Sequence, residues 1–127
     1  MPSAVSLLGP IVLVVEDDAL LRLLAVDLVE SAGYQAIEAG SADEACGILE
    51  HRADIRLVFT DVDMPGSMDG LELAVMIRDR WPPIEIIITS GVRGPKDADL
   101  PARARFFAKP YSADHVTTAI RTLVEQP

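Results

Sequence analysis

The chain predicts an α/β domain: a five-stranded parallel sheet with helices on both faces. Two observations carry that prediction. Five short apolar runs, IVLVV (11–15), YQAIE (34–38), RLVFT (56–60), EIIIT (85–89) and RFFAK (105–109), recur at fairly even intervals with helical segments between them. The runs at 11–15, 56–60 and 85–88 show little polar alternation and are rich in Val and Ile, as strands buried on both faces are. Strands alternating with helices imply parallel pairing through right-handed crossovers. YQAIE does alternate, which suits an edge strand.

The helices follow in order. Asp18 is placed to cap the first, where Leu20, Leu21, Leu24, Leu28 and Val29 recur at three- and four-residue spacing and mark an apolar face. Gly33 stops it after about 14 residues. Ser41 with Glu44 forms a capping box opening a second helix that runs through Ile48 and Leu49. The third carries Leu71, Leu73, Ala74 and Ile77 from Gly70 to Arg80, and Trp81-Pro82-Pro83 ends it, with Trp81 as a packing plug. Ser112 caps the last, with Val116, Ile120, Leu123 and Val124 inward. Between Thr89 and Phe106, Gly91, Gly94, Pro95 and Pro101 leave room for one helical turn near Lys96 to Leu100, so a fourth helix there is short, irregular or absent.

Composition narrows the function. At 127 residues, half of them hydrophobic, the chain makes a single domain over 1–127, with a core of about 11–125 and a flexible leader over 1–9. Twenty acidic against eleven basic residues leave a net charge of -9, a field that argues against direct contact with nucleic acid or anionic membranes. The leader lacks the features of a signal peptide, no apolar run reaches spanning length, and lone Cys46 reads as a buried, reduced thiol. The expected location is the cytoplasm.

In an open parallel sheet, ligands bind beyond the carboxyl ends of the strands. Strand one ends in Glu16-Asp17-Asp18, strand three in Asp61 and Asp63, strand four in Thr89-Ser90, and strand five in Lys109-Pro110. Taken singly, each has an ordinary explanation: a cap, a turn residue, a surface lysine. Together the carboxylates repel one another unless a cation or proton sits among them. A hard cation such as magnesium suits one or two carboxylates with water and phosphate oxygens.

The motifs VVEDD (14–18), TDVDMP (60–65) with DG (69–70), TS (89–90) and KP (109–110) resemble the receiver domain of bacterial two-component response regulators over about 11–125. The resemblance implies the flavodoxin-like receiver fold, strand order 2-1-3-4-5. It implies that Asp61 is a phosphoacceptor, that Asp17 and Asp61 bind Mg2+ through carboxylates and Asp63 through its backbone carbonyl, and that Glu16 acts through water or by orienting ligands. Lys109 and Thr89 would contact the phosphoryl group, with Thr89 and Phe106 as a switch pair. Phe106 lacks a hydroxyl, so that switch would rest on packing. The implied partners are a histidine kinase or histidine phosphotransfer protein and a downstream protein, with homodimerisation left open and no dimer geometry implied.

Several positions depart from the pattern. MPGSMDG is one residue longer than the commonest form. Gly91 offers no side chain to shield the phosphoryl group, which implies a short to moderate lifetime. The irregular fourth helix implies a remodelled output face. His51 and His115 lack the surroundings of a relay histidine. Two other classes compete: a haloacid-dehalogenase-like phosphatase using Asp61-Val62-Asp63, and a Toprim-like metal site using Glu16 with the same aspartates. The first normally carries its motif on an early strand and needs a cap domain; the second suits a basic surface, which this chain lacks. With no output domain before Pro127, a stand-alone regulator and a receiver from a larger protein are both open.

Overall fold

A computed structural model describes residues 10–91 and 99–125. Strands β1 (Ile11–Val15), β2 (Gln35–Ala39), β3 (Ile55–Asp61), β4 (Glu85–Ser90) and β5 (Arg105–Ala108) form one sheet in the order β2-β1-β3-β4-β5. All four pairings are parallel. Helices α1 (Ala19–Ser31), α2 (Ala42–His51), α3 (Gly70–Arg80) and α4 (Ala113–Val124) provide the crossovers and the cover. The expected leader, 1–9, lies outside the described residues. Of the turn expected near Lys96 to Leu100, only Asp99 and Leu100 are described, and they form no α-helix.

The three central strands are apolar because both of their faces are covered. One cluster holds Leu13, Val58, Ile86 and Ile88 against Leu49, Leu73 and Ile77 of α2 and α3. The other holds Val12, Leu57, Phe59 and Ile87 against Val29, Val116 and Ile120 of α1 and α4. Edge strand β2 is exposed or half-buried from Gln35 to Glu38, as suits an edge, and only Ala39 is buried.

Helix ends follow local chemistry. Asp18, Ser41, Asp69 and Ser112 each accept a hydrogen bond from the main-chain N–H three residues on. The reciprocal capping box, however, is at Asp69 and Glu72, whose carboxylate returns to the Asp69 N–H at 3.0 Å. Glu44, expected to do this for Ser41, instead takes the Gly40 N–H at 2.5 Å. Gly33 ends α1 with φ of +102°, a conformation that favours glycine. Trp81 packs on the core beneath the guanidinium of Arg80, 4.5 Å from its ring centroid.

Two burial expectations need correction. The first helix turns Ala25, Val26 and Val29 to the sheet, while Leu20, Leu21, Leu23 and Leu24 are 64%, 42%, 55% and 54% exposed. The segment is apolar on every side, so spacing alone did not choose the buried face; the smaller residues allow the closer approach to the sheet. Cys46 is only partly buried, between α2 and α3, with its sulfur 3.9 Å from that of Met76. Burial pushes its thiol pKa up, consistent with an inert, protonated group.

At the opposite end of the sheet from the acidic strand termini, Arg52, Arg56, Arg80 and Arg103 surround a groove with Trp81. Arg78 crosses beside it to the carbonyls of Ala102, Pro82 and Ile84.

Candidate functional site

The ends of β1, β3 and β5 bring Glu16, Asp61 and Lys109 together. Glu16 is 6% exposed and Asp61 5%, so two carboxyls are buried side by side. The Lys109 Nζ lies 3.3 Å from Asp61 Oδ1 and 3.5 Å from Glu16 Oε1. Asp61 Oδ1 nonetheless has no partner in hydrogen-bond geometry. The contact is an ion pair that leaves a buried oxygen directionally unsatisfied, an arrangement that favours a further electropositive ligand.

Glu16 is held on several sides. Its N–H donates to the Ala39 carbonyl at 3.0 Å, its carboxylate accepts from the Asp18 N–H at 3.2 Å, and its carbonyl accepts from Arg22 at 2.9 Å. Arg22 also pairs with Glu38 at 3.1 Å. Arg22 was not legible as a site residue, because its partners are assembled by the β1–β2 pairing rather than by any local motif.

Electrostatics follow from burial. Loss of solvent raises the Asp61 and Glu16 pKa values above the ordinary carboxylate range, although Lys109 opposes the rise in both. Burial alone would lower the Lys109 pKa, but the two carboxylates overcome it and hold the ammonium firmly protonated.

Glu16, Asp17 and Asp61 each present a carboxylate oxygen, and these atoms lie within 4.8 Å of one another. The hard-oxygen donor set fits a magnesium ion, as does an Asp61 oxygen whose ion pair with Lys109 falls outside hydrogen-bond geometry. The Asp63 carboxylate is not part of this cluster. It instead accepts from the Ser90 hydroxyl at 3.0 Å and the Gly91 N–H at 3.3 Å.

The loop between Asp61 and α3 is pinned at both ends. The Gly70 N–H donates to the Val62 carbonyl at 3.1 Å, and a Cβ at Gly70 would lie 1.8 Å from the Asp61 carbonyl oxygen, so only glycine fits. Gly66 takes φ of +114°, and Ser67 donates to the Asp43 carboxylate at 2.9 and 3.0 Å, accommodating the longer loop.

Thr89 is buried at the end of β4, in register with Asp61 on one side and Phe107 on the other. Phe106 is in register with Ile88 and packs in the α2/α3 cluster, while Phe107 packs in the opposite one. A groove of about 790 Å³ runs from Asp61, Thr89 and Lys109 along Leu21, Leu24 and Leu28 of α1, with Tyr111 on its far wall. His51 and His115 are exposed and stand apart from the site; His51 contacts the Gly47 carbonyl within its own helix.

A doubly wound sheet of order 2-1-3-4-5, with buried acids and a lysine at its carboxyl edge, defines a signalling receiver rather than a capped phosphatase or a nuclease. The family model described as response regulator receiver domain matches residues 12–121, and the chain belongs to that family. It is 36% identical over 119 residues to the sensor kinase CckA of Brucella abortus, covering 91% of this chain and 12% of that protein. The response regulator protein FleR of Pseudomonas aeruginosa is 34% identical, covering 80% of this chain and 22% of FleR. The chain thus spans under a quarter of both relatives. By contrast, the response regulator receiver protein CpdR of Brucella abortus, 29% identical, is covered over 95% of its length and 89% of this chain. Among solved structures, a receiver protein from Sinorhizobium medicae superposes with a TM-score of 0.86 at 25% identity, covering 94% of this chain and 97% of that one. One from Pseudomonas putida gives 0.79 at 30%, covering 90% and 97%. The chain is a receiver domain of the two-component type, and neither competing class finds support.

Proposed function

We propose that Asp61 is the phosphoacceptor of this receiver, taking a phosphoryl group from the phosphohistidine of a partner kinase or phosphotransfer protein. The observation that supports it most is the buried Asp61 carboxylate, with one oxygen unsatisfied 3.3 Å from the Lys109 ammonium. In the transfer, the P–N bond to histidine breaks as an Asp61 oxygen forms a P–O bond, and the imidazole takes up a proton on leaving. Lys109 and the Thr89 hydroxyl would face the phosphoryl oxygens and offset their charge.

Magnesium, when bound, neutralises phosphoryl and carboxylate charge as the two negative groups approach. Asp17 and Asp61 would hold it through carboxylates, Asp63 through its backbone carbonyl, and Glu16 through water or by orienting the other ligands. Hydrolysis of the acyl phosphate by water returns the site to its starting state, so the domain catalyses its own phosphorylation and dephosphorylation without being an enzyme for another substrate. Thr89 and Phe106 form the proposed switch pair, with packing in place of a hydroxyl contact. Residues 11–125 act as one receiver unit in the cytoplasm, and its downstream partner is a protein.

Partner docking is proposed along α1. Two of its exposed leucines, Leu21 and Leu24, line the groove that ends on Asp61, and apolar patches of this kind suit an apolar helix bearing the phosphodonor.

The test is intact-protein mass after incubation with acetyl phosphate, with and without magnesium. A metal-dependent gain of one phosphoryl group, lost in Asp61→Asn, is expected. No adduct on the wild-type protein with donor and metal in excess would overturn the reading.

A further inference from the structure

We propose that the groove beside Asp61 is a binding site for the acyl chain of a small phosphodonor, so that this receiver takes medium-chain acyl phosphates of monocarboxylic acids in preference to acetyl phosphate. The inference rests on the reading of Asp61 as phosphoacceptor and names the class of small donor that the site fits.

The groove has the size and the polarity pattern of a small-molecule site: about 790 Å³, apolar along its middle, with polar groups gathered at its ends. Asp61, Thr89 and Lys109 form the reactive end, where the Lys109 ammonium suits a phosphoryl group. From there Leu21, Leu24 and Leu28 line one wall, and the Tyr111 ring, 6.1 Å from that of Phe59, belongs to the other. Leu21 to Leu28 spans about 10 Å of helix, the length of a short hydrocarbon chain. A protein donor would cover this surface with a helix. A free acyl phosphate can cover it only with its own carbon chain, and the methyl group of acetyl phosphate is too short to do so.

The far end sets a limit on the chain. Asp27 and Ser31 return polarity there, one turn beyond the middle leucine. A second carboxylate at the tip of a donor would meet the Asp27 carboxylate and be repelled, which disfavours donors made from dicarboxylic acids.

The chemistry at phosphorus is the same for every member of the class. An ionised Asp61 oxygen forms a P–O bond as the P–O bond to the acyl oxygen breaks, and the carboxylate leaves with the bonding pair, so no proton moves. Leaving-group basicity barely varies along the unbranched acids. A rate that climbs with chain length therefore reports contact with the chain, because binding energy from a remote part of the donor is realised in the transition state.

The experiment compares second-order rate constants for phosphorylation by acetyl, butyryl and hexanoyl phosphate at saturating magnesium, read from intact-protein mass. A methylene covered on one side gains about twofold, half the free energy of full burial, so hexanoyl phosphate should react roughly tenfold faster than acetyl phosphate. In the variant carrying Leu21→Ser and Leu24→Ser, that ratio should fall to about twofold or less. Phosphonates, whose P–C bond prevents transfer, give an equilibrium readout by NMR titration. Hexylphosphonate should bind roughly tenfold more tightly than methylphosphonate and shift the signals of Leu21, Leu24 and Tyr111. The same chain ending in a carboxylate, 6-phosphonohexanoate, should lose most of that gain.

Equal rates along the series, a chain-length advantage that survives in the double variant, phosphonate affinities indifferent to chain length, or a 6-phosphonohexanoate that binds as well as hexylphosphonate would each overturn the proposal. If a thermal melt shows the double variant unfolded, the phosphonate series on the wild type decides. A wild type that gains no phosphoryl group from any donor removes the phosphoacceptor reading and this proposal with it. One phosphorylated at equal rates by all three donors removes this proposal alone.

Discussion

Asp61 ends an apolar strand with a buried carboxyl, and the protein bears the cost of that burial whenever the group is ionised. Its pKa is raised in the fold, so the penalty is absent below the unfolded carboxylate's pKa of about 3.9 and complete once pH has passed the folded value. In metal-free buffer, Asp61→Asn should therefore raise the melting temperature at neutral pH, an effect that vanishes near pH 3. A thermal melt series from pH 3 to pH 8 checks the sign; a lower melting temperature for the variant at neutral pH would contradict the burial argument. Gly91 allows a second test. A Cβ there meets only the Lys109 side chain, at 3.5 Å, so larger residues fit. Gly91→Arg should fold normally and lengthen the acyl-phosphate lifetime severalfold by covering the path of water, as followed by loss of the mass adduct. The single residues of this site were readable because each follows a strand. Their cross-connections were not: Asp63 and Ser90 are 27 positions apart, and nothing local announces that one holds the other.

Among the elements, α3 and α1 show the two limits of tolerance. The first residue of α3 abuts the main chain of β3, where a methyl group would overlap the Asp61 carbonyl, carbon and the Val62 Cα. Gly70→Ala should cost about 2 kcal/mol or more, because backbone rather than a flexible side chain must give way. Gly47→Ala, in the middle of α2 with nothing within 4 Å of the new carbon, should instead stabilise by about 0.5–1 kcal/mol. Urea unfolding of the pair separates the effects. On α1, Leu21→Ser with Leu24→Ser should change stability by no more than about 1 kcal/mol, since both side chains are exposed. The same pair should slow phosphotransfer from a protein donor while leaving acetyl phosphate unaffected; equal rates from the protein donor would remove the docking proposal. Strand positions and helix caps were legible because they depend on neighbours in sequence. The buried face of α1 was not, since it is decided by how closely the sheet can be approached.

The whole molecule divides its apolar core into two layers by a sheet whose upper edge gathers charge. Magnesium binding to the folded edge should stabilise the entire domain, by about 2.7 kcal/mol at a concentration 100 times its Kd. The gain should be much reduced in Asp61→Asn, and melts with and without the ion give both values. The groove of arginines at the other end of the sheet bears on how the molecule meets its partners. Glu16, Asp17, Asp18, Asp61 and Asp63 outnumber Arg22 and Lys109 at one end, while at the other Arg52, Arg80 and Arg103 are paired with Asp54, Glu50 and Glu85, so these residues carry an acidic excess toward the carboxyl edge, a dipole along the strands. A dipole experiences torque in a neighbour's field before any surfaces touch. A partner whose phosphohistidine is framed by basic groups would therefore turn this domain reactive end first, at a rate that falls as salt shortens the reach of the field.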